Sequence, residues 1–167
     1  MFYTNAKRAT NYGVEAEARK SLGFLIPRLQ RLQAFVNTTI MQSEIELDPN
    51  TQASATNLKR RMVGQAPYVL NAGLTYLAVG NGTSATLLFN RVGERIDAAG
   101  DRPLPDVIEQ SRNALDLSIR FPVTGAFSAR LDGKNLLDAP YRVTQGTVTR
   151  EEYRIGRLVQ AGLVWRP

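Results

Sequence analysis

Polar and apolar residues alternate along most of this 167-residue chain, and this period of two is the feature that most restricts its fold. In the segment 115–121, four large apolar residues alternate with Asp116, Ser118 and Arg120. The same pattern returns in 14–19, 68–76 and 127–132. Successive side chains of a strand point to opposite faces of a sheet, whereas a helix would mix the two sets on every face. The pattern therefore predicts an all-β chain.

Turn-forming residues divide the chain into segments of strand length. Short breaks fall at about 25–31, 79–83 and 122–126, and longer polar breaks at about 48–60, 97–106 and 139–147. The predicted strands are 12–24, 32–47, 61–78, 84–96, 107–121, 127–138 and 148–165, with 1–8 as the end of an earlier strand. Each is longer than the roughly 9–11 residues that a tilted strand needs to cross a bilayer. Alternating short turns and long loops are typical of outer-membrane barrels, so we predict an antiparallel up-and-down transmembrane β-barrel segment of about seven full strands plus an N-terminal stub.

The alternation also assigns side chains to the two faces of the sheet. We predict that one set faces outward: Val14, Ala16, Leu70, Leu74, Leu117, Ile119, Phe127, Ala129 and Leu131. We predict that a polar set lines the inner face: Glu15, Glu17, Arg19, Asn71, Asp116, Arg120, Arg130 and Asp132. A shift of one residue in strand pairing would turn every charge toward lipid. The two sets are therefore either both assigned correctly or both exchanged.

Aromatic residues gather near the predicted strand ends. One group lies near the short turns or the C-terminus: Phe24, Tyr76, Phe121, Phe127 and Trp165. A second group lies near the opposite ends: Phe2, Tyr3, Tyr12, Tyr141 and Tyr153. Two such groups are what the aromatic girdles of a membrane barrel require.

Composition excludes several kinds of site. The chain has no histidine and no cysteine, which removes the commonest general base, thiolate ligands and disulfides. The net charge is +6, but Lys59-Arg60-Arg61 is the only run of basic residues, so no nucleic-acid partner is expected. We predict no enzyme activity, no cofactor and no catalytic, cofactor-binding or metal-binding residue. Residues that contact a substrate stay unknown.

Several motifs, taken in order, resemble the barrel of TonB-dependent outer-membrane receptors. Asn11-Tyr12-Gly13-Val14-Glu15-Ala16-Glu17-Ala18 resembles a strand opening of that family, and Gly64-Gln65-Ala66-Pro67-Tyr68 its glycine-glutamine-proline entry into a strand. Asn90-Arg91-Val92-Gly93-Glu94-Arg95 is similar to a late strand. Lys134-Asn135-Leu136-Leu137-Asp138 with Pro140-Tyr141 resembles the penultimate-strand motif, and Gly156-Arg157 the start of the last strand. The family usually ends on an aromatic residue, whereas Arg166 and Pro167 follow Trp165 here.

The resemblance implies that residues 1–167 are the C-terminal part of a receptor barrel in the bacterial outer membrane. It implies import of a scarce nutrient, such as a metal chelate or a glycan. The implied partners are outer-membrane lipid, a missing N-terminal barrel and plug, the small-molecule or glycan substrate, and the TonB energising complex, which acts through the missing part. Residues 1–8 contain no apolar core of a secretion signal, so either the protein is not exported or the chain begins inside a longer one.

Two alternatives stay open at this stage. A small closed barrel of about eight strands would act as a structural protein or passive pore. A soluble all-β binding module would bury one large face with Phe and Ile at the centres of its strands. The three long breaks are the places where we expect ligand contact in a receptor.

Overall fold

Twelve antiparallel strands make up most of the computed structural model, which describes residues 6–50 and 53–165. In chain order they are β1 (Arg8–Ser21), β2 (Leu32–Glu46), β3 (Lys59–Arg60), β4 (Tyr68–Leu77), β5 (Ser84–Val92), β6 (Arg95–Ala98), β7 (Val107–Glu109), β8 (Arg112–Thr124), β9 (Phe127–Lys134), β10 (Tyr141–Gln145), β11 (Val148–Tyr153) and β12 (Leu158–Trp165). Two 3-10 turns, Leu22–Phe24 and Pro27–Leu29, connect β1 to β2. Within the described ranges, no helix is both long and apolar enough to cross a membrane.

The main sheet follows the order of the chain. Its seven long strands are arranged β1-β2-β4-β5-β8-β9-β12, and β3 pairs with the end of β2. Each strand lies antiparallel to the next, so the predicted up-and-down arrangement of seven full strands is confirmed. In the part of the chain that the structure describes, β1 and β12 form the two edges and the sheet is open. The predicted stub lies mostly outside the described residues, except that Arg8 belongs to β1.

Cross-strand register divides the main sheet into a polar face and an apolar face. One polar row crosses all seven strands: Ser21, Gln33, Thr75, Thr86, Ser118, Asp132 and Gln160. The next row is apolar across six strands: Leu32, Tyr76, Ala85, Ile119, Leu131 and Ala161. Every residue assigned from the alternation shares a face with its predicted set, so that grouping is confirmed. β2 follows this division only in part, because Phe35 and Met41 lie on the polar face and Thr38 and Gln42 lie on the apolar face.

The connections also alternate as predicted. Short connections join β1 to β2, β4 to β5 and β8 to β9, and they lie at one end of the sheet, the short-turn end. Three longer segments, 47–67, 93–111 and 135–157, lie at the other end, the long-loop end. Pro122, predicted to lie in a break, belongs to β8 at a register irregularity, because a strand tolerates proline where the ladder is already interrupted.

The long segments are more structured than the sequence indicated. Residues 139–147 were predicted as a loop and 148–165 as one strand, and both predictions were wrong. Instead β10 and β11 form a hairpin, and they join β7 and β6 in a second sheet of order β11-β10-β7-β6. Gly156 at φ +88° separates β11 from β12, which redirects the chain into the main sheet.

Other strand boundaries also differ from the prediction. The strand predicted at 12–24 runs from Arg8 to Ser21, and Leu22–Phe24 form a 3-10 turn. The segments predicted as 84–96 and 107–121 each divide between the two sheets, at 93–94 and 110–111. The strand predicted at 61–78 begins at Tyr68, directly after Pro67, because proline lacks the N–H that a ladder needs. The strand predicted at 127–138 ends at Lys134, before Asn135 and Asp138 adopt positive φ.

Burial is confined to the long-loop end. The buried apolar side chains of the described residues are Leu47, Ala55, Ala66, Ile96, Val107 and Val143. In contrast, large apolar residues of the main sheet stay exposed, including Val14 at 72%, Ile40 at 62% and Trp165 at 63%. A soluble module would bury this face, and no described element covers it.

Candidate functional site

A ladder of amide side chains crosses the polar face at mid-height. Asn37 Nδ2 donates to Glu15 Oε1 at 3.2 Å, Asn71 Nδ2 donates to Asn37 Oδ1 at 3.5 Å, and Asn90 Nδ2 donates to Asn71 Oδ1 at 2.7 Å. The ladder joins β1, β2, β4 and β5, because these residues stand opposite or diagonal to one another in register. Asn37 and Asn71 each donate one bond and accept another, so the ladder fixes the orientation of their amide groups.

One aromatic ring interrupts the polar face. Phe35 stands between Arg19 and Gly73 in register. The Arg19 guanidinium carbon lies 5.6 Å from the centre of the Phe35 ring, a cation–π distance. A Cβ on Gly73 would lie 2.3 Å from two ring carbons, so the ring occupies the space that a side chain at 73 would take.

At the long-loop end, segments 47–67 and 93–111 are joined by a buried carboxylate. Asp106 is only 9% exposed, and its two oxygens accept hydrogen bonds from the Gly100 N–H and from Asn57 Nδ2, both at 2.8 Å. Backbone bonds reinforce the contact, since the Thr56 N–H donates to the Gly100 carbonyl at 2.9 Å. These two long segments therefore act as one ordered unit.

The third long segment joins the same unit through the second sheet. β10 pairs with β7, and Gln145 Nε2 donates to the Pro105 carbonyl at 2.8 Å. Arg95 and Glu109 form an ion pair at 2.7 Å between β6 and β7. All three predicted ligand-contacting loops are thus brought together at one end of the main sheet.

An aromatic pair and an ion pair mark the β10–β11 hairpin. The rings of Tyr141 and Tyr153 are 4.9 Å apart between centres. Partial burial, followed by the nearby Glu109 carboxylate, raises the pKa of Tyr141 above its ordinary value. The Arg142 guanidinium donates to Glu152 at 2.9 Å and holds the pKa of that carboxyl below its ordinary value.

Sequence reasoning missed this hairpin, although a signal was present. Gln145 pairs with Val148, so the hairpin turns on Gly146 and Thr147, and Gly146 has φ +59°. A glycine in a two-residue connection between alternating segments is a strong hairpin signal. The aromatic prediction was wrong for Tyr141 and Tyr153, which lie in the second sheet. Phe2 and Tyr3 lie outside the described residues.

The aromatic prediction holds on the apolar face. Tyr76, Phe121, Phe127 and Trp165 share this face near the short-turn end, and Tyr12 lies on it near the long-loop end. Tyr68, which was in neither predicted group, also lies on this face near the long-loop end. An apolar groove of about 780 Å³ opens at the long-loop end, lined by Tyr12, Val14, Ile40, Tyr68 and Leu70 among others. No group of three or more potential metal ligands comes together within residues 6–50 and 53–165.

Comparison with known proteins identifies one family. A family model described as "TonB dependent receptor-like, beta-barrel" matches residues 1–136. No curated protein and no solved structure matches the chain.

Proposed function

The chain belongs to the TonB-dependent receptor-like β-barrel family, and from this membership we propose that it forms the C-terminal part of a nutrient-importing barrel in the bacterial outer membrane. The family is one of receptors and transporters, not of enzymes. The proposed cargo is a scarce nutrient such as a metal chelate or a glycan. The proposed partners are outer-membrane lipid, the N-terminal barrel strands and plug, and the TonB energising complex acting through them.

The observation that carries the proposal is a long sheet with one apolar and one polar face, and within residues 6–50 and 53–165 no layer packs on either face. On the apolar face, Tyr68 and Tyr76 are eight residues apart on β4. Eight steps span about 27 Å along a strand, and a tilt of about 35–45° projects this to about 20 Å. This approaches the roughly 25 Å apolar band of outer-membrane barrels. The polar face, with its amide ladder, then lines the lumen.

The membrane orientation is tested by introducing single cysteines, since the chain has none of its own. Leu117→Cys and Asp116→Cys are neighbours on opposite faces of β8 and form a matched pair. In the full-length receptor, a water-soluble maleimide is expected to label position 116 and to spare position 117. Equal labelling of the two positions would contradict the assignment of the apolar face to lipid.

The transport role is tested by growth and uptake. A strain lacking the receptor is grown with single metal chelates or single glycans as the limiting nutrient. We expect growth to fail on one class of nutrient. The wild-type gene should restore that growth only while the energising complex is active. Restoration that does not depend on that complex would instead indicate a passive pore.

A further inference from the structure

Asn81 lies in the short connection between β4 and β5 and is followed directly by a glycine. The Ala78 N–H donates to the Thr83 carbonyl at 2.9 Å, which leaves residues 79–82 as the exposed tip of this hairpin. In the whole sequence, no other asparagine precedes a glycine. Asn81 is therefore the asparagine whose side chain has the least hindered backbone nitrogen after it.

The side chain of Asn81 is folded over the peptide bond that follows it. Its Oδ1 accepts a hydrogen bond from the Thr83 N–H at 3.1 Å, which makes an Asx turn. The ring that this bond closes contains both Asn81 Cγ and the Gly82 nitrogen, so the turn holds these two atoms near each other. The same bond favours negative charge on Oδ1, and this makes Cγ more open to attack by a nucleophile.

Gly82 leaves its backbone nitrogen unshielded. Its φ of +70° lies in the region that favours glycine, and a Cβ at this position would have no atom within 4 Å. Asn81 and Gly82 are both exposed, so water reaches the same atoms. The tip of the hairpin thus combines an electrophilic carbon, a neighbouring nitrogen nucleophile and solvent.

We propose that Asn81 is a site of spontaneous deamidation in the folded protein. The Gly82 nitrogen forms a bond to Asn81 Cγ, the bond from Cγ to the side-chain nitrogen breaks, and that nitrogen leaves as ammonia with the proton of the Gly82 N–H. Water then opens the succinimide ring at one of its two carbonyl groups, which yields aspartate or isoaspartate. The turn gains one negative charge, and isoaspartate also adds a carbon atom to its backbone.

Two asparagines of the main sheet provide internal comparisons. Asn71 and Asn90 lie within β4 and β5, and both belong to the amide ladder. Each must break its side-chain hydrogen bonds before it can cyclise, and the residue after each carries a side chain beside the attacking nitrogen. Asp132 precedes Gly133 and could form the same ring, but it lies in β9 between two paired strands. We therefore expect the reaction at the hairpin tip and not within the sheet.

The test uses the full-length receptor, incubated for several days in detergent at neutral pH. Gel mobility without heating separates the folded band, and only this band is digested. Trypsin releases one peptide, 62–91, that contains all three asparagines, because no lysine or arginine lies within residues 62–90. Mass spectrometry of its fragments shows which asparagine has become a carboxylate. We expect Asn81 to react at least about tenfold faster than Asn71 or Asn90, a difference of about 1.4 kcal/mol in the barrier.

Asn81→Gln is the matched variant, because its longer side chain places the carbonyl one carbon too far to form the five-membered ring. Loss of the modification at position 81 is expected, with the rest of the peptide unchanged. Gly82→Ala adds a methyl group beside the attacking nitrogen, so slower modification of Asn81 is expected in the folded band. Since φ at position 82 is positive, this second variant is compared only if it folds.

Two results would overturn the inference: an intact Asn81 in the folded band after the incubation, or deamidation of Asn81 at the rate of Asn71 and Asn90. An unchanged mass shift in the Asn81→Gln peptide would also overturn it, because the reaction would then lie elsewhere. The inference goes beyond the proposed function and does not rest on it. Failure of nutrient uptake would contradict the proposed function and leave this site unaffected.

Discussion

At the scale of single residues, Gly73 illustrates how the polar face accommodates an aromatic ring. Phe35 lies among polar neighbours, and it fits because Gly73, its partner in register, has no side chain. Arg19 covers the ring from the other side. Alternation alone predicts which face a residue occupies, but not which residue stands opposite.

Gly73→Ala is therefore expected to destabilise the barrel by about 1–3 kcal/mol, the usual cost of forcing an additional carbon into an occupied space. The clash is with ring carbons 2.3 Å away, so Phe35 must leave its position. Gly162→Ala is the control, since it lies on the same face of β12 with no atom within 4 Å. Denaturant unfolding of the receptor in lipid measures both variants. Equal stability of the two would contradict the proposed close contact between Phe35 and Gly73.

Tyr141 provides a prediction about pH. Its pKa is raised above the ordinary value of 10.0, chiefly by burial and then by the Glu109 carboxylate. The folded state therefore favours the neutral phenol of Tyr141. The stability that this side chain contributes is complete below about pH 10 and is lost as the pH rises through the raised pKa. Ultraviolet difference absorbance of the phenolate, with Tyr141→Phe as reference, measures this titration. Ionisation at or below the ordinary value would contradict the prediction.

At the scale of elements, the sequence predicted the strands of the main sheet better than the long segments. The pattern does change where the chain leaves the main sheet, because the apolar positions are odd in β5 (Leu87, Phe89) and even in β6 (Ile96, Ala98). This reversal was not recognised when 84–96 was predicted as one strand. Membership of the second sheet depends on pairing between residues far apart in the chain, such as Val143 with Glu109. Proximity of the three long loops could be predicted from antiparallel order, whereas their shared core could not.

Asp106→Ala tests whether this carboxylate holds the long segments together. The substitution leaves the Gly100 N–H and Asn57 Nδ2 without their acceptor, at a cost of about 1–3 kcal/mol. We expect faster hydrogen exchange in segments 47–67 and 93–111, with little change in the main sheet. Asp97→Ala, which removes an exposed carboxylate from the same segment, is the control. Unchanged exchange in Asp106→Ala would show that the backbone bonds alone are sufficient.

At the scale of the whole molecule, the division into two faces follows from the sequence because it depends only on the period of two. Leu117 and Asp116 fall on opposite faces whatever the register, and the register then extends each face across seven strands. What the sequence could not predict was the location of burial. It lies in the second sheet and the long loops, because the main sheet has no described layer on either face.

The polypeptide of residues 1–167, expressed alone, is therefore expected not to form a stable monomeric pore. In the part of the chain that the structure describes, β1 and β12 pair on one side only, which leaves two rows of backbone groups open. In hydrocarbon each unpaired group costs several kcal/mol, so the edges should pair with other chains and produce oligomers or aggregates.

Refolding in detergent, followed by heat-modifiable gel mobility and single-channel recording, measures the outcome. The full-length receptor, refolded in the same way, is the positive control for barrel closure. A compact, heat-modifiable monomer of the short chain with a steady conductance would contradict the prediction. It would mean that β1 and β12 meet in the membrane, and the chain would then be a small closed barrel acting as a passive pore.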